Sequence, residues 1–396
     1  MRIYPIVVIV MLTIIILPDL FIFLRLKKKN LGLFVQILSL LPAFIFLSFL
    51  AWLKLGKVNF HESYQLKIII WMNYAFLLIY IPKLIYVIFY FLNYLINSIF
   101  KKKYKLLTRV GLVLGVFVIV NLLIGAFYTP YNFQLKKTNV YIKNLPASFD
   151  GYKIIQISDI HLGSWDKNFK ILETVIQMIN SQNADIILFS GDLVNNFSEE
   201  TIGWDKYFIQ LKSKSGNFAV LGNHDYGDYS FWVSKKDKQA NLDRIKQAIH
   251  DFGFKLLLNE NKTLYKGSDS ISLIGVENWG KPPFPKYGNL NKALSGISEN
   301  TIQILITHDP SHWEAEVVGK QNIALTFSGH THAAQMGIKI GQILHSPSSF
   351  IYKQFDGLYE KNNQFIYVNR GLGFIGLPLR IGVPPEISLI TLKKAK

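Results

Sequence analysis

Residues 153–161 read Lys-Ile-Ile-Gln-Ile-Ser-Asp-Ile-His. A short apolar strand ends there in an Asp-x-His pair, and four later stretches repeat the design. Ile186–Ser190 runs into Gly191-Asp192, and Phe218–Leu221 into Gly222-Asn223-His224-Asp225. Ile304–Thr307 ends at His308, and Leu325–Ser328 at Gly329-His330-Thr331-His332. Loops at the C-terminal ends of strands gather along one edge of an α/β sheet, where sites form. Five of the nine histidines lie in these turns. Taken singly, a Gly-Asp is usually a turn, and a His before Asp-Pro is usually a capping or core residue. Five such endings in order are improbable as coincidence.

The residue types point to divalent metal. Asp, Asn and His, in a chain without cysteine, suit Mn²⁺, Fe²⁺, Zn²⁺ or Co²⁺. Two such ions about 3.5–4 Å apart, sharing a carboxylate, acidify water and offset phosphoryl charge in a transition state. Glycines before Asp192, Asn223 and His330 keep Cβ atoms away from the ions.

Outward from these motifs the texture alternates. Val140–Ile142 and Lys153–Ser158 read as strands. Asp166–Ser181 reads as a helix, with Phe169, Leu172, Val175, Ile176 and Ile179 on one face. Helices are also expected over Glu199–Leu211 and over Lys238–Phe252, the latter stopped by Gly253. Leu256–Leu258, Thr263–Lys266, Ile271–Val276, Phe365–Val368 and Ile387–Leu392 read as further strands. A Pro-rich loop starts at Lys281. The expected fold class is α/β, a two-layered sheet sandwich flanked by helices.

The first third differs. The 396 residues carry a net charge of +17, of which +12 falls in residues 1–130, with Asp19 and Glu62 its only acidic residues. Ile3–Leu24, Leu31–Leu53, Leu66–Phe100 and Leu106–Tyr128 are apolar runs long enough to cross a bilayer core of about 30 Å. The first run ends in basic residues rather than a small-residue cleavage site, so a span is expected and not a cleaved leader. Basic clusters at Arg25–Lys29 and Lys101–Lys105 flank the spans. With four spans these loops share a side, cytoplasmic by the positive-inside rule. The reading is a multi-pass cell-membrane protein with the N-terminus and everything after residue 130 outside the cytoplasm. The organisation is 1–130 four transmembrane helices, 131–150 a linker with a leading strand, and 151–396 a catalytic domain. Nucleic acid is not expected as a partner, since residues 131–396 hold only +5 and no basic stripe.

The motif order resembles the calcineurin-like metallophosphoesterase superfamily, whose pattern runs Asp-x-His, Gly-Asp, Gly-Asn-His-Asp/Glu, His, Gly-His-x-His. Membrane-anchored bacterial members look most similar, including those with phosphodiesterase or UDP-2,3-diacylglucosamine pyrophosphatase activity. The resemblance implies one metal ion on Asp159, His161 and His332 and a second on Asn223, His308 and His330, with Asp192 bridging. It implies that His224 contacts the phosphoryl group and assists the leaving group, with Asp225 orienting its ring. Many relatives have Asp where this chain has Asn195, and Gly-Gly where it has Ala333-Ala334. Those departures touch loop geometry rather than the expected ligands.

Substrate signals are thinner. Tyr226–Trp232, Asn278–Tyr287 and the apolar Gly371–Pro385 either line a lipid pocket or pack as ordinary loops. Arg370 and Arg380 either meet a phosphate or pair with local carboxylates. The expected partners are membrane lipids and a phosphorylated, lipid-linked substrate. The competing reading is a non-catalytic sensor or assembly module whose phosphoesterase fold only binds. A transporter role has little support, because Asp19, Lys67 and Lys83 are the few ionisable groups inside the spans.

Overall fold

The computed structural model describes residues 5–56, 63–165, 169–282, 285–298, 300–341 and 343–395. The expected helix start at Asp166–Asn168, and Pro283 and Phe284 of the Pro-rich loop, lie outside these. Two compact units divide the chain, Met1–Ile124 and Gly125–Lys396.

The first unit contains α1 (Pro5–Lys28), α2 (Leu33–Leu38), α3 (Leu41–Leu55), α4 (Ser63–Ile99) and most of α5 (Leu106–Phe127). Four segments are long and apolar enough to cross a membrane: Ile9–Lys28, Leu33–Leu55, Tyr64–Ile99 and Leu106–Tyr131. The second is not one helix. It breaks at Ser39-Leu40, because Pro42 has no N–H to continue the ladder from α2. The Ala43 N–H freed at the restart donates to Asp19 Oδ2 at 2.9 Å. Asp19 is buried, accepts from Tyr80 Oη at 3.1 Å and ion-pairs with Lys83. The acidic group that broke the first apolar run is thus neutralised in place, at the restart of α3.

The second unit begins with the last turn of α5. Its strands are β1 (Gln134–Ile142), β2 (Lys153–Ile157), β3 (Ile186–Phe189), β4 (Asn217–Ala219), β5 (Phe254–Leu256), β6 (Glu260–Lys266) and β7 (Asp269–Gly275). These are followed by β8 (Ile302–Ile306), β9 (Ile323–Ser328), β10 (Ile338–Ile340), β11 (Ile343–His345), β12 (Gly357–Lys361), β13 (Gln364–Val368) and β14 (Glu386–Lys394). Two six-stranded sheets result, in the orders β1-β14-β2-β3-β4-β5 and β12-β13-β9-β8-β7-β6. β2 to β5 run parallel to one another, as do β7, β8, β9 and β13.

Alternation decides how the sheets pack. Ile154, Ile186, Leu188 and Phe218 of the first sheet meet Leu273, Ile304, Ile306 and Phe327 of the second in a central core. Ile155, Ile157 and Ile187 turn the other way, under α6 (Phe169–Asn180) and α8 (Lys235–Asp251). Ile274, Leu305 and Ile366 pack with Leu290 and Ala293 of α9 (Leu290–Leu294). This is the expected sandwich with helices on its outer faces.

Two expectations fail, and the first is the strand expected over Leu256–Leu258, which lies instead at Phe254–Leu256. Glu199–Leu211 is not a single helix: a 3₁₀ turn (Ser198–Thr201) and the short α7 (Asp205–Phe208) are separated at Gly203, which has φ of 88°. β10, β11 and β12 were not read from the sequence.

Candidate metal centre

The five motifs follow β2, β3, β4, β8 and β9, and their side chains converge at the C-terminal ends of those strands. Asp159, His161 and His332 form one group, and Asp192, His308 and His330 another, with ligand atoms in each group within 4.8 Å of one another. His161 Nε2 lies 3.1 Å from His332 Nε2, which lies 3.2 Å from Asp159 Oδ1. His308 Nε2 lies 3.1 Å from Asp192 Oδ2 and 3.3 Å from His330 Nδ1. Asn223 Oδ1 joins the second group, 2.8 Å from His330 Nδ1. The same Asp192 Oδ2 is 3.7 Å from His161 Nε2, so this carboxylate reaches both groups.

Backbone carbonyls orient the rings. His161 Nδ1 faces the Val194 carbonyl at 3.2 Å, and His308 Nδ1 faces that of Ser190 at 2.8 Å. Each Nδ1–H donates there, which turns Nε2 into the site. Asn223 Nδ2 donates to Tyr229 Oη at 2.9 Å, which turns its carbonyl inward. Converging lone pairs and carboxylates in a buried pocket are mutually repulsive unless a cation lies between them. The donor set therefore fits divalent metal.

Electrostatics separate the histidines. Burial pulls the His161 pKa down to about 3, and burial also lowers His330, so both rings are neutral and able to ligate. Burial opposes charge on His308 as well, but its pairing with Asp192 outweighs this and lifts it to about 10. Burial pushes Asp159 and Asp192 up, yet the His332 and His308 rings beside them hold both below the usual carboxylate range.

The backbone is strained at these positions. Asp159, His161, Asp192, His330 and His332 all have positive φ, between 48° and 73°, a conformation that costs an L-residue about 1–3 kcal/mol. Close approach explains two glycines. A Cβ on Gly222 would lie 2.2 Å from Asp192 Oδ1, and one on Gly329 would lie 2.3 Å from Asp159 Oδ2.

His224 stands beside the two groups, its ring 5.1 Å from that of His161 and its backbone N–H on Asp192 Oδ1 at 2.8 Å. Asp225 has backbone partners. Its carboxylate is buried beneath the loop and accepts backbone N–H bonds from Asp192, Leu193, Val194 and Gly222, and so it ties β3 and β4 motifs together. Burial and the Asp192 charge push its pKa up, to about 7. The His224 ring is oriented instead by the Asn195 carbonyl, 2.8 Å from Nδ1.

Sequence reasoning missed Tyr352, whose hydroxyl lies 2.8 Å from His330 Nε2, and Tyr229; their placement depends on tertiary packing. Tyr226 belongs to the core, stacked on Tyr287 at 3.8 Å. Arg370 pairs with Asp356 and lies near Glu386, the local-carboxylate alternative. Among the described residues no carboxylate pairs with Arg380. Fully buried, it donates to the carbonyls of Arg370, Gly371, Gly373 and Val383, and Nη2 lies 3.3 Å from His332 Nδ1.

The chain is similar to known proteins. The calcineurin-like phosphoesterase family matches residues 152–334. The metallophosphoesterase YkuE of Bacillus subtilis is 31% identical over 275 residues, 67% of this chain and 88% of YkuE. A zebrafish transmembrane protein with metallophosphoesterase domain is 29% identical over 262 residues, 64% of this chain and 56% of that protein. UDP-2,3-diacylglucosamine pyrophosphatase LpxG of Chlamydia trachomatis is 27% identical over 300 residues, 62% of this chain and 86% of LpxG. The chain belongs to the calcineurin-like phosphoesterases, hydrolases of phosphoric ester bonds.

Proposed function

We propose that this protein is a membrane-bound, dinuclear metal-dependent hydrolase that cleaves a phosphodiester or pyrophosphate bond in a lipid-linked substrate. The observation that carries the dinuclear reading is Asp192 Oδ2, which lies within 3.1 Å of His308 and 3.7 Å of His161. Asp159, His161 and His332 would hold one ion and Asn223, His308 and His330 the other, with Asp192 shared. When bound, the ions supply Lewis acidity and lower the pKa of water enough for attack at neutral pH. His224 Nδ1 donates to the Asn195 carbonyl, so Nε2 is the atom free to exchange a proton with the leaving oxygen. Asp225 holds the loops that carry Asp192 and His224 at fixed separation.

Two observations favour a lipid-linked substrate: four segments able to cross a membrane and the likeness to a pyrophosphatase named for a diacylated nucleotide sugar. The basic loops favour a domain outside the cytoplasm, where an envelope phospholipid or a cell-wall-linked phosphodiester is within reach. An inward-facing domain would favour the UDP-linked lipid. An alkaline phosphatase fusion after residue 135 should be active and a fluorescent-protein fusion there dark; the reverse pair of results reverses the choice.

The test of the hydrolase itself is turnover of bis-p-nitrophenyl phosphate by the full chain after chelation and Mn²⁺ addition. No turnover with any divalent metal would favour a binding-only module.

A further inference from the structure

We propose that the β10–β11 hairpin is a membrane-docking element, whose outer face inserts into the lipid headgroup region. Ile338 pairs with His345 and Ile340 with Ile343 across the hairpin. Alternation puts Ile338, Ile340 and Ile343 on one face, where they are 70, 65 and 64% exposed. Leu344, on the other face, is buried with Ala333 and Val383. The ribbon is thus fixed on its inner side to the loop that follows His332, while three isoleucines point outward. Phe350 and Ile351, soon after the hairpin in the chain, are 91 and 65% exposed. So large an exposed aliphatic surface marks an interaction site.

The occupant follows from what the hairpin is tied to. Its stem bonds to the Gly371–Pro385 loop, with Gly337 N–H on the Ile381 carbonyl at 2.9 Å and Ile381 N–H on the Gln335 carbonyl at 2.8 Å. The neighbouring Arg380 N–H donates to the carbonyl of Gly125 at 2.7 Å. Gly125 lies in the last turn of α5, inside the segment Leu106–Tyr131 that is apolar enough to cross a membrane. Phe127 and Tyr128, 60 and 63% exposed, follow at once, as aromatic residues do at a membrane–water boundary. The hairpin is therefore anchored a few residues from where the chain leaves the bilayer, and lipid is the apolar phase within reach. Tyr352, next in the chain after Ile351, has its hydroxyl 2.8 Å from His330 Nε2. Docking does not depend on which bond that centre cleaves.

The chain has no cysteine, so single cysteines can be labelled without background. Ile340→Cys, and separately Tyr265→Cys on β6, where Tyr265 is 74% exposed, are labelled with an environment-sensitive nitrobenzoxadiazole. The full chain is then placed in phosphatidylcholine–phosphatidylglycerol nanodiscs containing doxyl-labelled phosphatidylcholine. Docking predicts blue-shifted emission at 340 that loses most of its intensity to doxyl lipid and resists iodide, whereas the label at 265 does the reverse. Ile343→Cys should behave like Ile340→Cys. Equal iodide quenching at 340 and 265, without doxyl quenching, overturns the proposal. Protection at 340 from both quenchers also overturns it, because a protein surface would then be the occupant.

Discussion

Gly329→Ala isolates one half of the metal centre. The added Cβ would lie 1.8 Å from Ser158 Oγ, 2.3 Å from Asp159 Oδ2 and 2.8 Å from Ser158 Cβ. Ser158 Oγ can rotate away. Asp159 has no such freedom, because its carboxylate accepts the His330 N–H at 3.0 and 3.1 Å and meets His332 Nε2 at 3.2 Å. Ordinary contact begins near 3.4 Å, so this carboxylate must retreat by roughly 1 Å, whereas metal–ligand distances tolerate only about 0.2 Å. Overpacking of this kind costs about 1–3 kcal/mol, and each kcal/mol moves Tm by roughly 2–4 °C in a domain near this size. Purified variant and parent are compared by elemental analysis, thermal unfolding after chelation, and bis-p-nitrophenyl phosphate turnover. The expected result is loss of about one ion per chain, a lower Tm, and a fall in turnover on the order of 10²-fold. A variant that keeps both ions and near-parental turnover would refute the reasoning.

His224→Ala should retain the metal content of the parent but lose about 10²–10⁴-fold in kcat; unchanged phosphodiesterase rates would remove its proton-transfer role. Ala334 is exposed with φ of 52° and ψ of 19°, which costs an L-residue about 1–2 kcal/mol. Ala334→Gly should therefore raise the melting temperature, with a net gain of about 1 kcal/mol after glycine's greater chain entropy. Ala333→Gly should be near neutral, since the Ala333 methyl packs on Leu344 and Val383. Burial opposes ionisation of Asp356, but the Arg370 guanidinium wins and holds its pKa below the usual range. A depressed carboxylate adds stability that is present above its unfolded pKa, about 3.9, and lost as pH falls through the folded value. Acid unfolding of Asp356→Asn, monitored by circular dichroism, should lack that component.

The ligand-bearing turns were legible because each follows a short apolar strand, and the parallel strands β2–β4 and β8–β9 deliver their C-terminal loops to one edge. The close glycines were legible for the same reason. What surrounds the ligands was not. Asp225 looked like a partner for its neighbour His224, but a carboxylate buried beneath four backbone N–H groups is spent on them. The backbone of Asn195 orients the ring instead, and a backbone carbonyl leaves no mark in a sequence. Arg380 escaped because its acceptors are all main-chain oxygens and one histidine. β10 and β11 escaped because their isoleucines face outward, so apolar residues there do not mark a core. The break before α3 was foreshadowed by Pro42, yet hydropathy alone ran the segment together.

Asp192 is the central claim, since its carboxylate lies near ring nitrogens of both groups. The most direct measurement is the number of Mn²⁺ ions bound per chain by the purified full-length protein and by Asp192→Ala, each chelated and reloaded. The parent should bind two ions and the variant fewer than one, because a single substitution removes a ligand from both groups. Two ions retained by Asp192→Ala would contradict the shared-carboxylate centre.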